Sequence, residues 1–227
     1  MKLPHLILAL GSIVVPALAD EPAGSKFLLV DDVLFYDTEK NELDHNYIHY
    51  SDIGVLRAQL QENPGISELV LNSEGGSLST ALEMGRIIAD FNLATSVRRS
   101  CMSACVILFA AGRDRTAKNG ALVGLHRPYT RAASLEDYYS ENKDYESWDN
   151  TFEFSEWVYD DAQLWLVEYL NFMLKQGIDF KFLLASLRYQ KMPMWYPDRS
   201  ILLDAKLITN RQHEEPFSKS STAPLAK

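Results

Sequence analysis

The chain has 227 residues, with 31 acidic against 22 basic side chains and a formal charge of −9 at neutral pH. Such a balance argues against proteins that hold nucleic acid or anionic membrane surfaces on a basic face, and it serves solubility first. The length and the ordinary aromatic content suit one domain with a sizeable core.

The amino terminus is organised as an export signal. Lys2 precedes an apolar run from Leu6 to Val15, and Pro16-Ala17-Leu18-Ala19 supplies an A-x-A exit ahead of Asp20-Glu21. The run is shorter than the roughly 20 apolar residues a spanning helix needs. Cleavage is expected after Ala19, giving an exported chain, periplasmic or secreted, with no membrane span. Residues 20–210 then form one domain, and 211–227, rich in Ser, Lys and Pro, form a disordered tail.

Residues 26–36 are rich in branched and aromatic side chains and read as one or two short strands. An amphipathic helix over 53–62 is stopped by Asn63-Pro64-Gly65. A buried strand over 66–71 ends at Gly75-Gly76, and a helix over 78–91 follows with Leu82, Ile87, Ile88 and Phe91 at helical spacing. Strand, glycine turn and helix make the first half of a βαβ unit. A second unit comes at once: a short strand over 94–97, a turn from Cys101 to Cys105, and an apolar helix over 106–111. The strand over 121–125 runs into His126-Arg127-Pro128. Residues 129–150 are acidic and aromatic without a periodic pattern and read as an exposed connection or lid. A long helix over 152–176 is closed by Gly177, a shorter one is expected at 180–189, and a last helical turn or two at 200–205.

The glycine pair, Ser103 and His126 thus each stand at the exit of a strand, the edge of an open α/β sheet where sites assemble. Gly75 and Gly76, having no Cβ, let backbone N–H groups approach a ligand and hold a developing oxyanion. Ser103 opens an apolar helix, whose N-terminal dipole and free N–H groups favour negative charge; the simpler use of such a serine is a helix cap. His126 can take a proton from a hydroxyl near neutral pH. Taken singly, each residue has an ordinary structural explanation, but the ordered set within about 50 residues points to nucleophilic catalysis.

At these residues the chain resembles the superfamily of the Clp protease proteolytic subunit, signal peptide peptidase A and the crotonases. The resemblance rests on Asn72-Ser73-Glu74-Gly75-Gly76, on Ser103 followed by Ala111-Gly112, and on His126-Arg127-Pro128. It implies an α/β fold of repeated ββα units with a helical C-terminal part. It further implies Ser103 as nucleophile, His126 as base, and an oxyanion hole from Gly75, Gly76 and Ala104. The acid of the Clp pattern falls on or near Met194, where no carboxylate stands. Asp198 is the nearest candidate third member and Asp179 the next, and a backbone carbonyl or Tyr196 is the substitute. A peptide or other acyl substrate is implied, with no metal or nucleotide cofactor, and a homo-oligomer is in keeping with the superfamily.

Other features allow two uses each. Cys101 and Cys105 can form a disulfide if Cys101 lies before the helix, or pack as buried thiols. His45 and His49 lack a third metal ligand and read as surface residues. Arg113, Arg115 and Arg127 can bind a carboxylate or phosphate, or lie solvated. The aromatic series from Tyr138 to Phe172 lines a groove, docks a subunit or forms a helix core face. Two rivals to a hydrolase are a non-catalytic partner-binding protein and an acyl-CoA enzyme, the latter disfavoured by export.

Overall fold

In a computed structural model, the described residues are 25–40, 45–190 and 192–209. The expected export signal and the expected tail lie outside them. Strands β1 (Phe27–Val30) and β2 (Val33–Asp37) form an antiparallel hairpin, turned at Asp31, which takes φ 55°. Helix α1 (Ser51–Glu62) leads to β3 (Glu68–Ser73), and α2 (Leu78–Asp90) to β4 (Ala94–Met102). Helix α3 (Cys105–Ala110), β5 (Arg115–Ala117) and β6 (Leu122–Gly124) complete the sheet. Helices α4 (Ala132–Glu146), α5 (Thr151–Lys175), α6 (Phe180–Ser186) and α7 (Arg199–Asp204) form the C-terminal part.

The sheet runs β1-β2-β3-β4-β5, parallel from β2 onward, with β6 also pairing β4. Two short strands therefore share one long neighbour: β5 pairs β4 at Thr95–Val97, and β6 pairs it at Ser100–Met102. Between them the register of β3 and β4 shifts, since Leu71 faces Val97 but Ser73 faces Cys101. β4 thus carries two extra residues there, a bulge that re-aims its C-terminal end. Asn72 holds the irregular stretch: its Oδ1 accepts from the Ser100 N–H (3.3 Å) and hydroxyl (3.1 Å), and its Nδ2 donates to Asp37 (2.9 Å).

Burial follows from strands that are covered on both faces. Leu69, Leu71 and Val97 are fully buried with Leu82, Ile88 and all of α3. Helix α5 docks on α2 where Gly85 leaves space for the Phe172 ring; a Cβ there would lie 2.8 Å from it. Arg115 is buried, and burial lowers its pKa. Its guanidinium donates to the carbonyls of Leu207, Ala110, Gly112, Gln176 and Lys206. That occupies the fork, so Arg115 ties the carboxyl-terminal turn to α3 rather than binding a ligand anion. Arg113 is exposed beside Asp114 at 3.5 Å.

One buried ion pair organises the amino-terminal side. Asp52 accepts from Lys26 (2.9 Å), the Tyr36 hydroxyl (2.7 Å) and the His49 N–H (2.9 Å), and Lys26 also donates to the Tyr47 carbonyl (2.7 Å). The network fixes residues 47–49 against the sheet. Removing one partner from a buried pair leaves an uncompensated charge, so Asp52→Ala is expected to cost about 3 to 5 kcal/mol in urea unfolding.

Burial also pushes the Tyr169 hydroxyl up from 10.0 to about 12, and Tyr36 moves in the same direction. Above pH 10 an unfolded tyrosine ionises while the buried one stays neutral, so the stability present below that pH falls as pH climbs toward 12. The urea midpoint should drop across that window, and with a shallower slope in Tyr169→Phe.

Candidate functional site

Ser103 stands between β4 and α3 with φ 55°, a left-handed conformation that costs a non-glycine residue about 1 to 2 kcal/mol. Its N–H donates to the Gly124 carbonyl of β6 at 2.8 Å, and its own carbonyl accepts from Val106 at 3.0 Å. The first bond joins the serine turn to the strand that carries the histidine. Met102 pairs with Gly124 in the ladder, so Ser103 and His126 leave adjacent parallel strands within a residue or so of each other. Both line the same cavity.

The glycine turn meets Ser103 from the other side. Gly75 has φ 101°, and a Cβ on it would lie 2.7 Å from the Met102 carbonyl and 2.8 Å from the Ser103 Cβ. Gly76 has φ 153°, and a Cβ there would strike the backbone of Ile48. Ile48 braces the turn by donating to the Gly75 carbonyl (2.8 Å) and accepting from Ser77 (3.0 Å). The Gly75 N–H donates to Ser73 Oγ at 3.1 Å, and that hydroxyl is fixed in turn by Thr38 at 2.8 Å. Of the expected oxyanion donors, Gly75 is therefore engaged inside the turn. Gly76, exposed on the cavity, and Ala104, at the mouth of α3, make no hydrogen bond through N–H among the described residues. Asn72 and Ser73, the leading residues of the motif, act as its scaffold, a use their types alone did not disclose.

Cys101 and Cys105 form a disulfide with Cα atoms 5.2 Å apart, and both are fully buried. Cys101 belongs to β4 and not to the helix, which resolves the two sequence readings in favour of the bridge. On chain-entropy grounds so short a loop contributes only about 2 kcal/mol to global stability.

His126 follows β6. Its Nδ1 lies 2.6 Å from the Arg127 carbonyl, which can only accept, so Nδ1 is the donor of that bond. The backbone around His126 is held by the segment after α6. Leu125 exchanges both backbone bonds with Trp195 (2.8 and 2.9 Å), the Arg127 N–H donates to Tyr189 (2.8 Å), and the Tyr189 and Trp195 rings stack at 5.3 Å.

The cavity measures about 820 Å³ and is mainly apolar. Val106 and Ile107 of α3 form one wall, and Trp157, Trp165 and Leu166 of α5 form another. Arg127 and Asp161 are the charged residues on its lining, among the described residues. Asp161 was not singled out by sequence reasoning, since nothing in an acidic helix marks one carboxylate from its neighbours.

No protein-family model matches the sequence, and no curated protein matches it. Among solved structures, a mutant of ClpP1 from Listeria monocytogenes aligns with a TM-score of 0.50 at 13% identity, covering 74% of this chain and 90% of that one. The fold is ClpP-like. At that identity the likeness is one of fold, and the chemistry rests on the residues.

The resemblance puts the acid on or near Met194, a thioether. Met194 packs on Gly124, whose missing side chain makes room for it and for the Tyr196 ring. Tyr196 directs its hydroxyl to Met102 Sδ at 3.7 Å. Asp198 does not take the third place: it is exposed at the start of α7 and off the cavity lining. Asp179 caps α6 through Phe182 N–H at 2.9 Å. His45 and His49 precede α1 with ring centroids 4.0 Å apart, and His49 Nδ1 meets the Ser51 hydroxyl at 2.9 Å.

Because the turns interlock, Gly75→Ala adds both an unfavourable φ and a clash with backbone. It is expected to lose about 2 kcal/mol or more in thermal or urea unfolding.

Proposed function

We propose that this chain is an exported serine hydrolase, peptidase-like, that works through an acyl-Ser103 intermediate. The observation that carries the reading is the placement of a left-handed Ser103 beside unengaged Gly76 and Ala104 N–H groups, on the same cavity as His126. His126 takes the hydroxyl proton at Nε2 as Ser103 Oγ attacks the acyl carbon. The carbonyl oxygen becomes an oxyanion facing Gly76 and Ala104, and His126 returns the proton to the leaving group. Water then repeats the sequence in reverse to free Ser103.

The Arg127 carbonyl stands in for the absent acid. It fixes the same tautomer as a carboxylate, but as a dipole it stabilises the imidazolium less than a full charge does, so a slow turnover is expected. The buried Cys101–Cys105 bridge supports the export reading, since such bonds persist in oxidising compartments. Exposed Phe152, Tyr159 and Leu164 on α5 support self-association through the helical part. No helix among the described residues is long and apolar enough to cross a membrane.

A second reading has its own support: with Asp198 and Asp179 both off the cavity, the groove can serve as a peptide-binding site without catalysis. A fluorophosphonate probe separates the two. The folded chain should label at Ser103, and Ser103→Ala and His126→Ala should each lower the rate by about a hundredfold or more. A folded wild-type protein that does not label would leave the binding reading standing.

A further inference from the structure

We infer that the Cys101–Cys105 disulfide is a positioning element for Ser103, so that the nucleophile is fully competent only in the oxidised chain. The inference rests on the hydrolase reading for its consequence, though not for its geometry.

The bridge joins the residue two before Ser103 to the residue two after it, linking β4 to the first residue of α3. It encloses the one residue of that turn with a left-handed backbone, Ser103 at φ 55°. A serine released from constraint favours negative φ, and that rotation would carry Oγ and the following Ala104 N–H away from their present directions. Other restraints also act on the turn: the Ser103 N–H bond to Gly124, the close approach of Gly75, and the Ser103 and Ala104 carbonyls, which accept from Val106 (3.0 Å) and Ile107 (3.1 Å). The first fixes the entrance, the second blocks movement toward the glycine turn, and the last two belong to the opening turn of α3. None engages the Ala104 or Cys105 N–H groups, which make no hydrogen bond among the described residues. The disulfide is the covalent tie across that exit. Both cysteines are fully buried, so the bond is shielded from bulk reductant once the domain has folded. Its state therefore records the compartment in which folding took place.

The test compares three forms of the purified chain: oxidised wild type, wild type folded in reducing conditions with two thiols verified by mass, and Cys101→Ala/Cys105→Ala. Fluorophosphonate labelling is resolved into reversible binding and covalent reaction, and amide exchange is followed over residues 103–107. In the two forms without the bridge, near-UV circular dichroism should persist. The covalent step should slow about tenfold with reversible binding unchanged, and exchange over 103–107 should quicken by about the same factor. Equal covalent rates and equal exchange in all three forms would overturn the inference and leave the hydrolase reading intact. If oxidised wild type does not label, the hydrolase reading fails and exchange alone decides the positioning role. If the double variant does not fold, the reduced wild type, which keeps both sulfurs, decides by the same readouts. Loss of near-UV signal in the reduced wild type would overturn the inference, because the bridge would then be holding the whole domain.

Discussion

The structure depends on an interlock between two turns that no pair of ordinary residues can make. Ser103 occupies a left-handed conformation against Gly75, and the contact closes only because Gly75 has no Cβ and itself takes positive φ. A left-handed serine is unfavourable by about 1 to 2 kcal/mol, so neighbours must hold it there. Much of the surrounding polar structure does so. Thr38 and Ser73 pin the Gly75 N–H, Ile48 pins its carbonyl, and the Lys26–Asp52 pair pins the loop that carries Ile48. Each bond contributes on the order of 1 kcal/mol, but their geometry is cumulative, because every one restricts the same few backbone angles.

The histidine is positioned by a different principle. His126 Nδ1 meets a main-chain carbonyl, that of Arg127, and main chain orients a ring only when it is itself immobile. Trp195 brackets Leu125 on one side of His126 and Tyr189 holds Arg127 on the other. The peptide units on both sides of His126 are thereby fixed, directly ahead of the Arg127 carbonyl. Met194 packs on Gly124 of the same segment. A buried charge there would need further partners, whereas a thioether needs none.

How much of this could be read from the sequence varied with the range of the forces involved. The strands and helices from β3 to α3 were legible because apolar periodicity and glycine turns are local signals. β4 was read too short: Arg98 and Arg99 interrupt the apolar pattern, yet they occupy the bulge, where Arg98 lies 5.1 Å over the Phe35 ring. β5 was missed because three residues with a buried arginine among them carry no strand signature. Ser103, Ala104, Gly76 and His126 meet at one cavity as expected, while Asp198 does not join them. The engagement of the Gly75 N–H, the Ile48 brace and the Arg127 carbonyl are backbone interactions between distant segments, and side-chain identity does not encode them.

Helix α4 is the instructive failure, since it has no buried residue and so presents no periodic face to read. It is held from outside the core, by Tyr138 stacked on Trp157 at 5.3 Å and Tyr139 against Phe154 at 5.1 Å. Leu135 nevertheless lines the cavity, so the exposed stretch expected after Tyr129 is a helix that borders the site. The aromatic series from Tyr138 to Phe172 divides accordingly: Tyr169 and Phe172 belong to the core, and Trp157 and Trp165 to the cavity wall. Ser103 and His126 therefore rest on the sheet and its turns, and much of the far wall rests on α5 and its aromatic contacts with α4. Substitutions at Trp157 or Trp165 can thus reshape the cavity from its far side, away from the contact between Gly75 and Ser103.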